Sequence, residues 1–218
     1  MSWVDDGFIA FDTETTGVEV SADRIVSAAA VEFRDGVEVS SREWLIKVDV
    51  QIPQAASAVH GITDQMSQVQ GLVQVEALGE IREYLVSSKL PVVCFNSQFD
   101  RMILDSNLER VGYQPLLGVV DICPYVIDKH MDKYVKGKAQ RRLQPTVARY
   151  GLELNEADWH GALADARITG LLMLAQQARY PQLFISESGE LGHLVEQWRK
   201  EQDASFKSWL ASQPPRPS

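Results

Sequence analysis

The apolar positions of this chain change period several times. Gly7–Asp12 is a short, nearly continuous apolar run closed by an acid, which reads as a buried strand. Arg24–Phe33 and Val37–Val48 alternate or run apolar, and Asp35-Gly36 between them is a hairpin turn signal. Val75–Val86 has helical spacing. Val92–Phe95 predicts a fourth strand. In Ser97–Val111, residues Phe99, Ile103, Leu104, Leu108 and Val111 recur at three and four positions, Ser97 reads as the N-cap, and Gly112 ends the helix. Val119–Ile122 predicts a fifth strand, followed by helical stretches near Gln144–Tyr150 and Leu163–Arg179. A hairpin followed by strand–helix alternation predicts an α/β fold, a mixed five-stranded sheet flanked by helices. Leu191, Leu194, Val195, Trp198, Phe206, Trp209 and Leu210 continue a helical stripe before the Pro-rich end. The expected division is therefore a domain over 1–185 and a C-terminal helical extension with a short tail over 186–218.

Composition changes this picture little. The 218 residues are 45% hydrophobic and 23% charged, ordinary for a globular chain with one real core. No apolar run approaches the ~20 residues of a membrane span, and no basic-then-apolar leader opens the chain. Cys94 and Cys123 lie in strand-like apolar runs and read as packed thiols in a reducing cytoplasm.

The candidate chemistry is acidic. In Phe11-Asp12-Thr13-Glu14-Thr15-Thr16-Gly17, period-two alternation puts Asp12 and Glu14 on one face at the end of the first strand. Two such carboxylates repel unless a cation sits between them, and Mg²⁺ is a hard ion suited to that place. Thr15-Thr16-Gly17 then reads as a turn with free N–H groups and room for a ligand. Asp100 falls in the first turn of the helix after Asn96-Ser97-Gln98-Phe99, where an acid also suits the macrodipole. Asp165 sits among small and apolar residues of a mostly buried helix, where an isolated acid is costly unless paired or ligating. His160, five residues upstream, is a candidate general base.

Asp12-x-Glu14, Asn96-x-x-Phe99-Asp100 and His160-x-x-x-x-Asp165 together resemble the three motifs of the DEDDh 3′→5′ exonucleases. That family includes the proofreading subunit of bacterial replicative DNA polymerase, RNase T and oligoribonuclease. The resemblance covers about residues 6–180, and His60-Gly61-Ile62-Thr63 is similar to a segment of the proofreading branch. Gly161 departs from the family, many members of which carry Arg after the His. The resemblance implies an RNase H-like fold. It implies that Asp12, Glu14, Asp100 and Asp165 hold two Mg²⁺ or Mn²⁺ ions about 3.5–4 Å apart, with Asp12 bridging and His160 as general base. Nucleoside 5′-monophosphates would leave one at a time from a 3′ end. Thr15, Thr16, Gly17, His60, Asn96 and Phe99 would lie near the terminal nucleotide.

DNA, single-stranded or frayed, is the favoured substrate on the strength of the first motif and the His60 segment. An exoribonuclease is the alternative, since a pocket for the 2′-OH is not readable from the chain. The net charge of −9 is unusual for a nucleic-acid enzyme. One stretch opposes it: Lys136, Lys138, Arg141 and Arg142, in a segment expected to be a solvated loop or frayed helix, are candidate phosphate contacts. The extension is expected to pack on its own domain, and it resembles C-terminal extensions of stand-alone actinobacterial exonucleases. Docking to a DNA polymerase or another subunit is the competing expectation; a membrane is not expected as a partner.

Overall fold

The computed structural model describes residues 2–152 and 161–213. Helix α1 (Trp3–Asp6) leads into the strands β1 (Phe8–Thr15), β2 (Ile25–Arg34) and β3 (Val37–Lys47), which pair antiparallel in sequence. The β2–β3 turn is the expected one: Asp35 and Gly36 both take positive φ, 50° and 74°, the requirement of a two-residue hairpin. Helices α2 (Gln54–His60) and α3 (Asp64–Gln70) precede a two-residue strand, β4 (Leu72–Val73). Then come α4 (Gln74–Ser87), β5 (Val92–Val93), α5 (Ser97–Arg110), β6 (Asp121–Ile122) and α6 (Pro124–Met131). Helices α7 (Leu143–Arg149), α8 (Ala162–Arg179) and α9 (Ser188–Ala211) complete the described chain.

The sheet order is β4-β3-β2-β1-β5-β6, with β4, β5 and β6 joined in parallel. The mixed, helix-flanked sheet agrees with the sequence, but it has six strands among the described residues rather than five. The addition is β4, whose Leu72 and Val73 pair with Ile46 and Lys47; two residues are too few to carry a period.

β1 is central and buried on both faces. Phe8 and Ala10 join Ala29, Val31 and Phe33 in a core covered by α1, α6, α8 and the first half of α9. Ile9 and Phe11 join Ala28, Ala30 and Trp44 against α4 and α5 on the opposite face. The α8 layer lies close to the sheet. Phe33 stacks on Phe8 with ring centroids 5.1 Å apart. A Cβ on Gly170 of α8 would sit 2.1 Å from the Phe33 ring. Gly170→Ala is therefore expected to cost about 1–3 kcal/mol by overpacking. Gly161→Ala, with nothing near the Cβ among the described residues, is expected to cost less in chemical denaturation, about 0.5–1 kcal/mol, through a poorer N-cap of α8.

Candidate active site

Alternation along β1 decides what reaches the site. With Phe8 and Ala10 facing the α8 layer, Asp12 and Glu14 continue on that face at the strand's C-terminal end. Asp165, in the first turn of α8, comes to meet them. One ligand oxygen from each of Asp12, Glu14 and Asp165 lies within 4.8 Å of the others. Thr13 points the other way, toward α5, and its hydroxyl donates to Asp100 Oδ1 at 2.9 Å. Asp100 is thus delivered from the opposite layer and tethered to the same strand. A register shift between Glu14 and Thr15 ends the regular pairing there.

The four carboxylates share one unfavourable environment. Burial, followed by the charges of Asp100, Asp165 and Glu14, holds Asp12 well above the usual carboxylate range. Glu14 is pushed up to about 7 by burial and then by Asp165 and Asp100. Burial raises Asp100 to about 7 against the lowering effect of the Thr13 hydrogen bond. A cluster of hard oxygen donors that repel one another is the donor set a divalent cation suits. The residues present therefore fit such an ion.

The surrounding candidates divide. Thr15 Oγ1 donates to the Gly17 carbonyl at 2.7 Å. Thr16 is buried, its hydroxyl donates to Asp23 Oδ1 at 2.7 Å and its N–H to the Arg24 carbonyl at 2.9 Å. A Cβ at Gly17 would lie 2.5 Å from the Asp23 carboxylate. One side of this turn packs against Asp23, eleven residues beyond Asp12, which no local pattern flagged. His60 ends α2 and is 8% exposed. Its Nδ1 accepts from the Ile62 N–H at 3.1 Å, so Nε2 carries the proton. That nitrogen is buried without a hydrogen-bond partner among the described residues. Burial lowers the pKa of His60 more than Thr15 raises it. His60 is thus brought to the motif. Asn96, not Ser97, is the N-cap of α5, in the left-handed region at φ 68° without a side-chain cap. Asn is among the few side chains that take this conformation readily. Phe99 packs against the α5-side core. His160 lies outside the described residues; Gly161, next to it in sequence, opens α8.

The basic segment is not uniformly free. Arg141 is 9% exposed. It donates to Asp128 Oδ2 at 2.7 Å and to the carbonyls of Asp132 and Val135, and Arg149 donates to the same Asp128 oxygen at 2.6 Å. This corrects the expectation that Arg141 contacts phosphate: the sequence displayed a cation, while its acid partner lay on another element, thirteen positions back. Arg141→Gln, which leaves buried Asp128 paired with Arg149 alone, is expected to destabilise by about 1–3 kcal/mol. Neutralising exposed Lys136, Lys138 and Arg142 should move stability by less than about 0.5 kcal/mol. Denaturation of the two variants checks the contrast. Cys94 and Cys123 are buried and free, as expected.

The acidic cluster stands at the end of β1, in the middle of a mixed sheet flanked by helices. The chain belongs to the exonuclease family named for RNase T, whose model matches residues 9–173. The epsilon subunit of DNA polymerase III of Treponema pallidum is 33% identical over 162 residues, covering 74% of this chain and 72% of that protein. The PolC-type DNA polymerase III of Thermotoga petrophila is 28% identical over 187 residues, 86% of this chain but 13% of its own length. The chain thus corresponds to a small part of the PolC-type relatives. Exonuclease I of E. coli, solved in complex with a dT13 oligonucleotide, superposes with a TM-score of 0.71 at 19% identity, over 82% of this chain and 42% of that one. At that identity the likeness is one of fold.

Proposed function

We propose that the protein is a metal-dependent 3′→5′ exonuclease that releases nucleoside 5′-monophosphates from single-stranded or frayed DNA. The observation that carries this is the convergence of Asp12, Glu14 and Asp165 within ligand reach of one another, with Asp100 tied to the same strand by Thr13. Asp12, Glu14, Asp100 and Asp165 would hold two divalent cations, Mg²⁺ or Mn²⁺. Such cations activate a water as nucleophile and neutralise charge developing on the phosphoryl and leaving 3′ oxygens. The chain's own groups do the rest. His160 takes the proton of the attacking water at one ring nitrogen. The start of α5 and the Thr15–Gly17 turn shape the seat of the terminal nucleotide, with His60, Asn96 and Phe99 at its border. Lys136, Lys138 and Arg142 meet phosphates further along the strand. The 33% identity to a polymerase III epsilon subunit favours DNA over RNA.

The test is digestion of 3′- and 5′-labelled single-stranded DNA and RNA of one sequence with Mg²⁺, Mn²⁺ or EDTA. A metal-dependent ladder shortening from the 3′ end is expected, faster on DNA. Cleavage from the 5′ end, or none with any metal, would overturn the reading.

A second reading, docking to a polymerase or another subunit, is favoured by one observation. The last turns of α9 leave the domain: residues 203–213 are all exposed. Phe206 and Trp209 stack at 5.8 Å and are each 55% exposed, with Leu210 at 50% beside them. A short helical end with an uncovered apolar stripe gains little stability by itself. Phe206→Ser with Trp209→Ser is expected to leave the melting temperature and nuclease rate within error. It should abolish co-elution with a DNA polymerase; retained co-elution would place the interface elsewhere.

A further inference from the structure

Helix α9 lies beyond the family-matched region 9–173, yet it touches the active-site framework. Leu191, Val195 and Trp198 anchor its first half in the α8-side core. From the same half, Arg199 donates through a terminal guanidinium nitrogen to Ser97 Oγ at 2.8 Å. Ser97 is 1% exposed and is the first residue of α5, three positions before Asp100.

The beginning of α5 has a backbone bond from the Phe99 N–H to the Asn96 carbonyl at 3.0 Å but no side-chain cap. Side-chain ties from outside therefore add to what holds the first turn. Two do this among the described residues: Thr13 to Asp100 from β1, and Arg199 to Ser97 from α9. A guanidinium at the positive end of a helix is electrostatically unfavourable. Its position is explained by the acids around it. Asp121 at the end of β6 feels the charge of both Arg199 and Arg101, and Arg101 pairs with it at 3.2 Å. Glu196, one turn back on α9, lies 3.9 Å from the Arg199 Nε. Two helices and a strand thus meet at one side chain, 14% exposed.

We propose that Arg199 is a positioning residue for the carboxylate site: through Ser97 it fixes the first turn of α5 and so the placement of Asp100. The helix outside the family domain is then part of the catalytic framework rather than an appendage. The proposal rests on the metal-dependent exonuclease reading.

Arg199→Ala, Arg199→Lys, Ser97→Ala and the double variant Arg199→Ala/Ser97→Ala test it in the full-length protein, with Lys200→Ala as a nearby charge control. Two readouts are used well below the melting temperature: steady-state hydrolysis of a single-stranded oligonucleotide, and Mn²⁺ affinity by titration with EPR detection, without substrate. Positioning predicts that Arg199→Ala lowers kcat and Mn²⁺ affinity by about tenfold or more, as loss of a group supporting a metal ligand does, with KM within about twofold. Arg199→Lys, which keeps the charge but not the fork, should recover only part. The double variant should equal the single ones, because both act through one contact.

Tighter Mn²⁺ binding in Arg199→Ala would instead mean that the residue only contributes positive charge, and would overturn the proposal. So would unchanged kcat and affinity with a lower melting temperature, which marks a merely structural contact. A raised KM at constant kcat would make Arg199 a direct phosphate contact, also against the proposal. Failure of the wild-type protein to bind Mn²⁺ or to hydrolyse the oligonucleotide would defeat the exonuclease reading itself.

Discussion

Asp12→Asn is expected to abolish nucleotide release while making the metal-free protein more stable. The two effects have one cause. Asp12 is held well above the usual carboxylate range by burial and by Asp100, Asp165 and Glu14 around it. In the absence of a cation these groups oppose folding; with one they become its ligands. Removing the central charge relieves the repulsion and removes the donor that faces every other acid of the cluster. The activity loss should be about a thousandfold or more, at the upper end of what one preorganised electrostatic group contributes. The melting temperature in EDTA should rise by several degrees, the scale of about 1 kcal/mol or somewhat more in a domain of this size. Thermal unfolding in EDTA and a 3′-labelled digestion of the same preparation check both halves. A variant that is inactive and less stable would show that Asp12 supports the fold, and that its inactivity reports damage rather than loss of a ligand.

Much of this site was legible because it is local. Asp12 and Glu14 share a face through the period of one strand, and Asp100 and Asp165 each fall in the first turn of a helix whose apolar spacing is plain. The antiparallel hairpin and helices α4, α5, α7 and α8 were legible for the same reason, within one or two residues at their ends. What escaped depends on separation in sequence. Asp23 packs against the turn after β1 and Asp128 captures Arg141; neither pairing leaves a trace in spacing. Thr13 was hidden between two acids, although its place in Asp12-x-Glu14 already dictated that it faces the opposite layer. The short helices α2 and α3 carry too few apolar positions for a period to show. The N-cap moved by one residue because Asn96 takes a left-handed conformation, which composition permits but does not announce. The apolar stripe of the extension served two ends at once: its first half is core and its second half is bare, a division set by where the domain stops.

The carboxylate cluster also fixes how stability should vary with pH. Glu14 moves from 4.5 to about 7 and Asp100 from 3.8 to about 7, both chiefly through burial. These are raised acids, so between about pH 4 and 7 the folded chain holds protons that the unfolded chain has released. Stability from these groups is therefore lost as pH rises through that window and reaches its floor above pH 7, where both states are ionised. For Glu14 the loss is about 2–3 kcal/mol, at about 1.4 kcal/mol per pH unit with an allowance for its partial exposure. Divalent cations bind the ionised carboxylates, so the rise in melting temperature on adding Mg²⁺ should be small at pH 5 and large at pH 8. Glu14→Gln should flatten the EDTA profile, since it removes one titrating group and relieves its neighbours. The measurement is a set of melting curves from pH 5 to 8, in EDTA and in saturating Mg²⁺, for both proteins. A Mg²⁺ effect of equal size at every pH would place the ion away from these four acids. A wild-type EDTA profile no steeper than that of Glu14→Gln would mean that the cluster keeps its charges in water, with a cleft more open than the packing of β1 between α5 and α8 implies.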